Sequence, residues 1–269
     1  MKRPALALLL ALAIAAQAQA QPAPEITRPA IPNPNNLLWV GNSFFYYNNG
    51  MQSLVGHLAA GSPDHPAYAS TLVAIGGSGF DWHDMESLLR PNAVGSYNFD
   101  PANNIIPTTR TKLWDAVIMM DCSQCPIHPT LSRVFTEYAR KNSEVVRAHG
   151  AEPIFFMSWA YADKPEMTAR LAEAYTAAAN ANHALVIPAG LAFARAQGSR
   201  PALVLYQPDN RHPTMAGSYL AASTVYATLY GRSPEPNVFN ATLDPETASF
   251  LRNTAWDTVQ AYMAGSVTH

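Results

Sequence analysis

The chain has 269 residues, 48% hydrophobic and 13% charged, with 17 Lys+Arg against 19 Asp+Glu. So large an apolar fraction can offset the entropy of ordering the backbone, which excludes a disordered polyelectrolyte. The lack of a basic excess excludes an electrostatic nucleic-acid binder, and the length fits one globular domain of the larger sort.

Met1 to Ala20 begins with Lys2 and Arg3, continues through an apolar run from Ala5 to Ala16, and ends in the small-x-small triplet Ala18-Gln19-Ala20. These are the three parts of a secretory signal peptide, with cleavage expected after Ala20. The apolar run is shorter than the roughly 20 residues a spanning helix needs. No cysteine near Ala20 offers a lipid attachment site, so the expectation is export to the periplasm or the medium with no stable membrane anchor. Gln21 to Asn35 is rich in Pro without hydrophobic period, and reads as an extended leader before a single domain from residue 36 to 269.

From there strands and helices alternate. The first strand is Leu37 to Val40, with a helix around Met51 to Ala60. A second strand, Ser70 to Ile75, runs into Gly76-Gly77-Ser78-Gly79 and a helix near Asp81 to Leu89. Arg90 to Lys112, full of Pro, Asn and Thr, reads as a long excursion loop. The third strand is Ala116 to Met120, followed by a helix from Leu131 to Ala148. The fourth is Ile154 to Met157, with a helix from Pro165 to Asn180, and the fifth is Ala184 to Ile187. Helices follow at Ala189 to Gln197, Pro213 to Tyr230 and Pro245 to Met263. Short apolar strands separated by helices predict an α/β fold: a doubly wound, flavodoxin-like parallel sheet of five strands, with helices on both faces. In such sheets ligands bind at the carboxyl ends of the strands.

At those ends stand Gly41-Asn42-Ser43-Phe44, then Gly76-Gly77-Ser78-Gly79, then Cys122-Ser123-Gln124-Cys125, with Asp209-Asn210-Arg211-His212-Pro213 and Gly217 ahead of a late helix. A serine hydroxyl is a poor nucleophile until an imidazole takes its proton, and a carboxylate fixes that imidazole's tautomer and stabilises its charge. The oxyanion that develops needs fixed donors, commonly backbone N–H groups and a side-chain amide. These blocks, in this order, resemble the SGNH (GDSL-like) hydrolase superfamily, from about Leu37 to the helix after Pro213. The resemblance implies Ser43 as nucleophile and first oxyanion N–H, Gly79 as the second donor, Gln124 as the third, and His212 as base supported by Asp209. Two blocks depart from the usual pattern: Gly-Asn-Ser replaces Gly-Asp-Ser, and Gln124 replaces the Asn of Gly-x-Asn-Asp. Gln carries the same amide on a stem one methylene longer.

The expected activity is cleavage of carboxylic esters through an acyl-enzyme. Exported members of the superfamily make a polysaccharide O-acetyl esterase the narrower expectation. A lipase or thioesterase, or a non-catalytic carbohydrate-binding protein on a decayed hydrolase fold, are the alternatives. Phe44 and Trp159 are expected at the substrate pocket. Cys122 and Cys125 read by default as a structural or neutral pair, and export would allow a disulfide that stiffens the turn aiming Gln124. Only His128 lies near them, short of the four ligands of a zinc site. No metal-protease, nucleotide-phosphate or dinucleotide motif occurs, so neither metal nor cofactor is implied. Ser78, Ser123 and Ser158 are expected to make local hydrogen bonds, and His57, His83, His128 and His183 to be structural or exposed.

Overall fold

The computed structural model describes residues 22–91, 93–94, 97–107 and 112–265; the expected signal peptide lies outside them. Strand β1 (Asn36–Gly41) leads into a four-residue helix α1 (Ser43–Tyr46) and then α2 (Met51–Ala60). After β2 (Ala69–Ala74) comes a 3-10 turn, Phe80–Trp82, and the short helix α3 (Met85–Leu89). A hairpin of β3 (Tyr97–Phe99) and β4 (Ile105–Pro107) precedes β5 (Ala116–Met119). A second 3-10 turn, Cys125–Ile127, precedes α4 (Leu131–Ala148), and β6 (Glu152–Phe156), α5 (Met167–Ala181) and β7 (Leu185–Ile187) follow. Three helices close the chain: α6 (Ala189–Ser199), α7 (Met215–Tyr230) and α8 (Pro245–Met263).

The main sheet has five strands in the order β2-β1-β5-β6-β7, all parallel. Alternate residues point to opposite faces, so Leu37, Trp39, Ile118, Ile154 and Phe156 join one core cluster, together with apolar side chains of α2, α6, α7 and α8. Leu38, Val40, Val117, Met119 and Phe155 join the other, with α3, α4 and α5. Burial on both faces is why these strands read as continuous apolar runs.

Two stretches differ from expectation. The single helix expected over Asp81 to Leu89 is broken at His83, which is buried with Nε2 2.9 Å from Ser78 Oγ, while Asp84 caps α3 by accepting the Ser87 N–H. The expected loop Arg90 to Lys112 contains the β3–β4 hairpin, closed by Asp100, whose Oδ1 accepts the N–H groups of Ala102 and Asn104. The leader, in turn, is tied to the domain. Ala30 N–H donates to Glu152 Oε2, Glu25 N–H to Asn180 Oδ1, and Arg232 to Asn33 Oδ1, while Ile26 packs on the core. Among the described residues no helix is long and apolar enough to cross a membrane.

Candidate active site

At the carboxyl end of β1 the chain turns straight into α1, with Asn42 as the N-cap. Its Oδ1 accepts the Phe44 N–H, and its Nδ2 donates to the carbonyls of Ser78 (3.0 Å) and Asp121 (3.1 Å). One buried amide thereby ties the segments leaving β1, β2 and β5. A carboxylate could not donate to either carbonyl, which gives Asn in place of Asp a physical reason.

Ser43 Oγ lies 2.8 Å from His212 Nε2, and His212 Nδ1 lies 2.5 Å from Asp209 Oδ2. The carboxylate fixes the tautomer with its proton on Nδ1, so that Nε2 accepts the serine hydroxyl. Asp209 Oδ1 also accepts the N–H groups of Arg211 and His212, each at 3.0 Å. The bond to His212, reinforced by these two, holds the carboxyl down at about 2, so Asp209 is ionised at neutral pH.

The turn carrying Asp209 and His212 is closed by its own backbone: Gln207 N–H donates to His212 O at 2.7 Å and Thr214 N–H to Leu205 O at 2.9 Å. Thr214 then caps α7 through Gly217 N–H. A Cβ on Gly217 would lie 2.4 Å from Leu205 O and 3.0 Å from Pro213 Cβ, so the spacing from His212 through Pro213 to Gly217 records a close approach of helix to turn. Asn48 Nδ2 fastens the segment after α1 to the same turn, donating to Pro213 O at 3.0 Å.

Aromatic rings hold the imidazole. Tyr47 stacks on His212 at 4.2 Å with an interplanar angle of 11°, and Phe44 meets it edge-on at 5.6 Å. Nothing in the sequence distinguishes Tyr47 from its aromatic neighbours. Phe44 and Trp159, expected at the pocket, are instead packing and positioning groups. Trp159 is 0% exposed, sandwiched between Phe44 (4.5 Å) and Phe193 (4.3 Å), and its Nε1 donates to Arg211 O at 2.9 Å, bracing the Asp209–His212 turn from below. Phe44 is 4% exposed, since the ring that follows the nucleophile is drawn into this stack.

The expected oxyanion donors stand on the adjoining loops. Neither the Ser43 N–H nor the Gly79 N–H has an acceptor among the described residues. Gln124 is exposed at the start of the second 3-10 turn, and its side-chain amide likewise has no partner among them. Cys122 and Cys125, on either side of it, are joined by a disulfide. Ser78 Oγ donates to Gly41 O, Ser123 Oγ lies 2.6 Å from the Tyr161 hydroxyl, and Ser158 Oγ donates to Ser123 O, so all three serines make the local bonds expected of them. The guanidinium of Arg211 sits over the Tyr161 ring at 4.8 Å.

No family model matches the chain, and no curated protein matches it. Solved structures do. A candidate SGNH hydrolase from Slackia heliotrinireducens superposes with a TM-score of 0.53 at 24% identity, covering 72% of this chain and 98% of that one. A DUF4886 family protein from Bacteroides uniformis gives 0.57 at 18%, covering 87% and 97%. A point mutant of Axe2, an acetyl-xylooligosaccharide esterase from Geobacillus, gives 0.53 at 14%, covering 74% and 95%. The chain has an SGNH-hydrolase-like fold.

Proposed function

We propose that this protein is an exported serine hydrolase that cleaves carboxylic esters through an acyl-enzyme, with Ser43, His212 and Asp209 as its catalytic triad. The continuous relay from Ser43 Oγ through His212 to Asp209, at 2.8 and 2.5 Å, carries the reading. Ser43 Oγ attacks the ester carbonyl as His212 Nε2 takes its proton, and Asp209 stabilises the imidazolium that forms. The tetrahedral oxyanion is received by the N–H groups of Ser43 and Gly79 and the amide of Gln124, which lie without partners among the described residues. Collapse expels the alcohol, protonated by His212. Water, deprotonated by the same imidazole, then releases the acid and regenerates Ser43.

An O-acetylated polysaccharide is the proposed substrate. Export would place the enzyme among such polymers, and one structural neighbour is an acetyl-xylooligosaccharide esterase. The test uses the mature protein with aryl esters of increasing acyl length and with acetylated xylan, beside Ser43→Ala and His212→Asn. Hydrolysis of short-chain esters and acetate release from the polymer are expected, with kcat falling on the order of 10⁴-fold in either variant. An inactive unmutated protein, or activity surviving in Ser43→Ala, would overturn the mechanism; a preference for long acyl chains would replace the substrate. Amino-terminal sequencing of protein recovered outside the cytoplasm should begin at Gln21, whereas a retained Met1 would refute export.

A further inference from the structure

Asp121 is a buried carboxylate at the carboxyl end of β5, 2% exposed, and the triad makes no use of it. Its Oδ1 accepts two backbone N–H groups from two different loops: Phe80 at 2.9 Å, directly after Gly79, and Cys122 at 2.8 Å, at the head of the turn that carries Gln124. Its own carbonyl accepts Asn42 Nδ2, the cap beside Ser43. The fit is close enough to dictate a neighbour. A Cβ on Gly79 would come within 2.7 Å of Asp121 Oδ1 and 2.8 Å of Asp81 Oδ1, so only glycine lets the loop after β2 lie against this carboxylate.

Resting on the esterase reading above, we infer that Asp121 is a positioning residue for the oxyanion hole, one oxygen clamping the Gly79 loop to the Gln124 turn so that donors on separate strands hold one geometry. Oxyanion donors contribute only if fixed before the charge develops, and a mutual displacement of the two loops would misaim both. Burial pushes the Asp121 carboxyl up to about 6, with Asp81 adding a like charge from the 3-10 turn. From α5 the buried phenol of Tyr175 faces it, itself pushed up mainly by burial and then by this charge. What the clamp requires is the acceptor oxygen, which an amide also supplies.

The test compares Asp121→Ala and Asp121→Asn with the unmutated enzyme, using a short-chain aryl ester for kinetics and amide hydrogen exchange for the clamp itself. In Asp121→Ala, kcat should fall about 10- to 100-fold with KM within about twofold, since the donors act on the transition state. The amides of Phe80 and Cys122 should exchange faster, while those of β1 stay protected. Asp121→Asn keeps the acceptor and should hold kcat within about threefold, with exchange at both amides unchanged. Full kcat in Asp121→Ala, or equal losses in both variants, would overturn the clamp. So would unchanged exchange at Phe80 and Cys122 in Asp121→Ala. Should Asp121→Ala not fold, Asp121→Asn decides: retained kcat supports the clamp and a 10-fold loss overturns it. Should the unmutated enzyme hydrolyse no ester, the function fails while the exchange comparison still decides the clamp.

Discussion

Asp121 couples the site's geometry to the stability of the fold. Its carboxyl, ordinarily near 3.8, rises to about 6 in the folded chain, chiefly through burial. Between those two values the folded state holds a proton that the unfolded state has released, so stability falls as pH rises through this window and is level above it. A rise of that size corresponds to about 3 kcal/mol. Asn cannot ionise, so the melting temperature of Asp121→Asn minus that of the unmutated protein should grow between pH 4 and pH 7, on the order of 5–10 °C. A difference that stays flat would mean that the carboxyl titrates as an exposed Asp does. That Ser43, His212 and Asp209 would meet was legible because the SGNH-like pattern marks them by residue type and order, and the structure brings the three side chains together. Asp121 was not, because its proposed role rests on the Phe80 amide, remote in sequence and brought beside it by folding. Asn42 was legible only as a departure from Gly-Asp-Ser; the two carbonyls that require an amide there belong to Ser78 and Asp121, remote in sequence. Trp159 was not legible as a brace because an aromatic residue at a strand end reads alike whether it faces a ligand or, as here, is sandwiched between Phe44 and Phe193.

Among the elements, β1, β5, β6 and β7 were legible because a strand buried on both faces reads as an apolar run, whereas β2 is only partly buried and was marked by its β-branched residues and the glycines that follow it. Short pieces were not. Helix α1 has four residues, and β3 and β4 have three each, too few to display a period. The turn from Cys122 to Cys125 carries Gln124, the proposed third oxyanion donor. Its disulfide closes a loop of four residues, with Cys125 N–H also donating to Cys122 Sγ at 3.1 Å. Chain-entropy reasoning puts the effect of so small a loop at about 2 kcal/mol. Replacing both cysteines with Ser should therefore lower the melting temperature by roughly 4–8 °C. Because Gln124 lies inside the closed loop, kcat for a short-chain ester should fall with little change in KM. Equal melting and equal kcat with and without the bridge would show the turn to be held by its hydrogen bonds, those to Asp121 and Tyr161 among them, without help from the disulfide.

At the scale of the whole molecule the site and the leader belong to opposite ends of the sheet. The triad stands where the strands end, whereas Glu152, which receives the leader, begins β6. Glu152 is mostly buried, and burial raises its carboxyl; the N–H groups of Ala30 (2.9 Å) and Ile31 (3.4 Å) oppose that rise. The sequence suggested a leader ahead of the fold because Pro-rich segments carry no period. The structure shows it without helix or strand, bent at several residues, and bonded to β6, α5 and the segment after α7 through Glu152, Asn180 and Arg232. Removing residues 22–33 would expose Ile26's place on the core and leave a mostly buried carboxylate without its backbone donors, each such group costing about 1–3 kcal/mol. The truncated protein should melt several degrees lower, and Glu152→Gln in the truncated chain should recover part of that loss, because a neutral amide is cheaper to bury unpaired than a carboxylate. Its kcat for a short-chain ester at 25 °C should match that of the intact mature chain, since the parallel sheet separates the leader from Ser43. A truncation that lowers kcat while leaving the melting temperature unchanged would place the leader in communication with the site, against the division of the sheet into a supporting end and a reactive one.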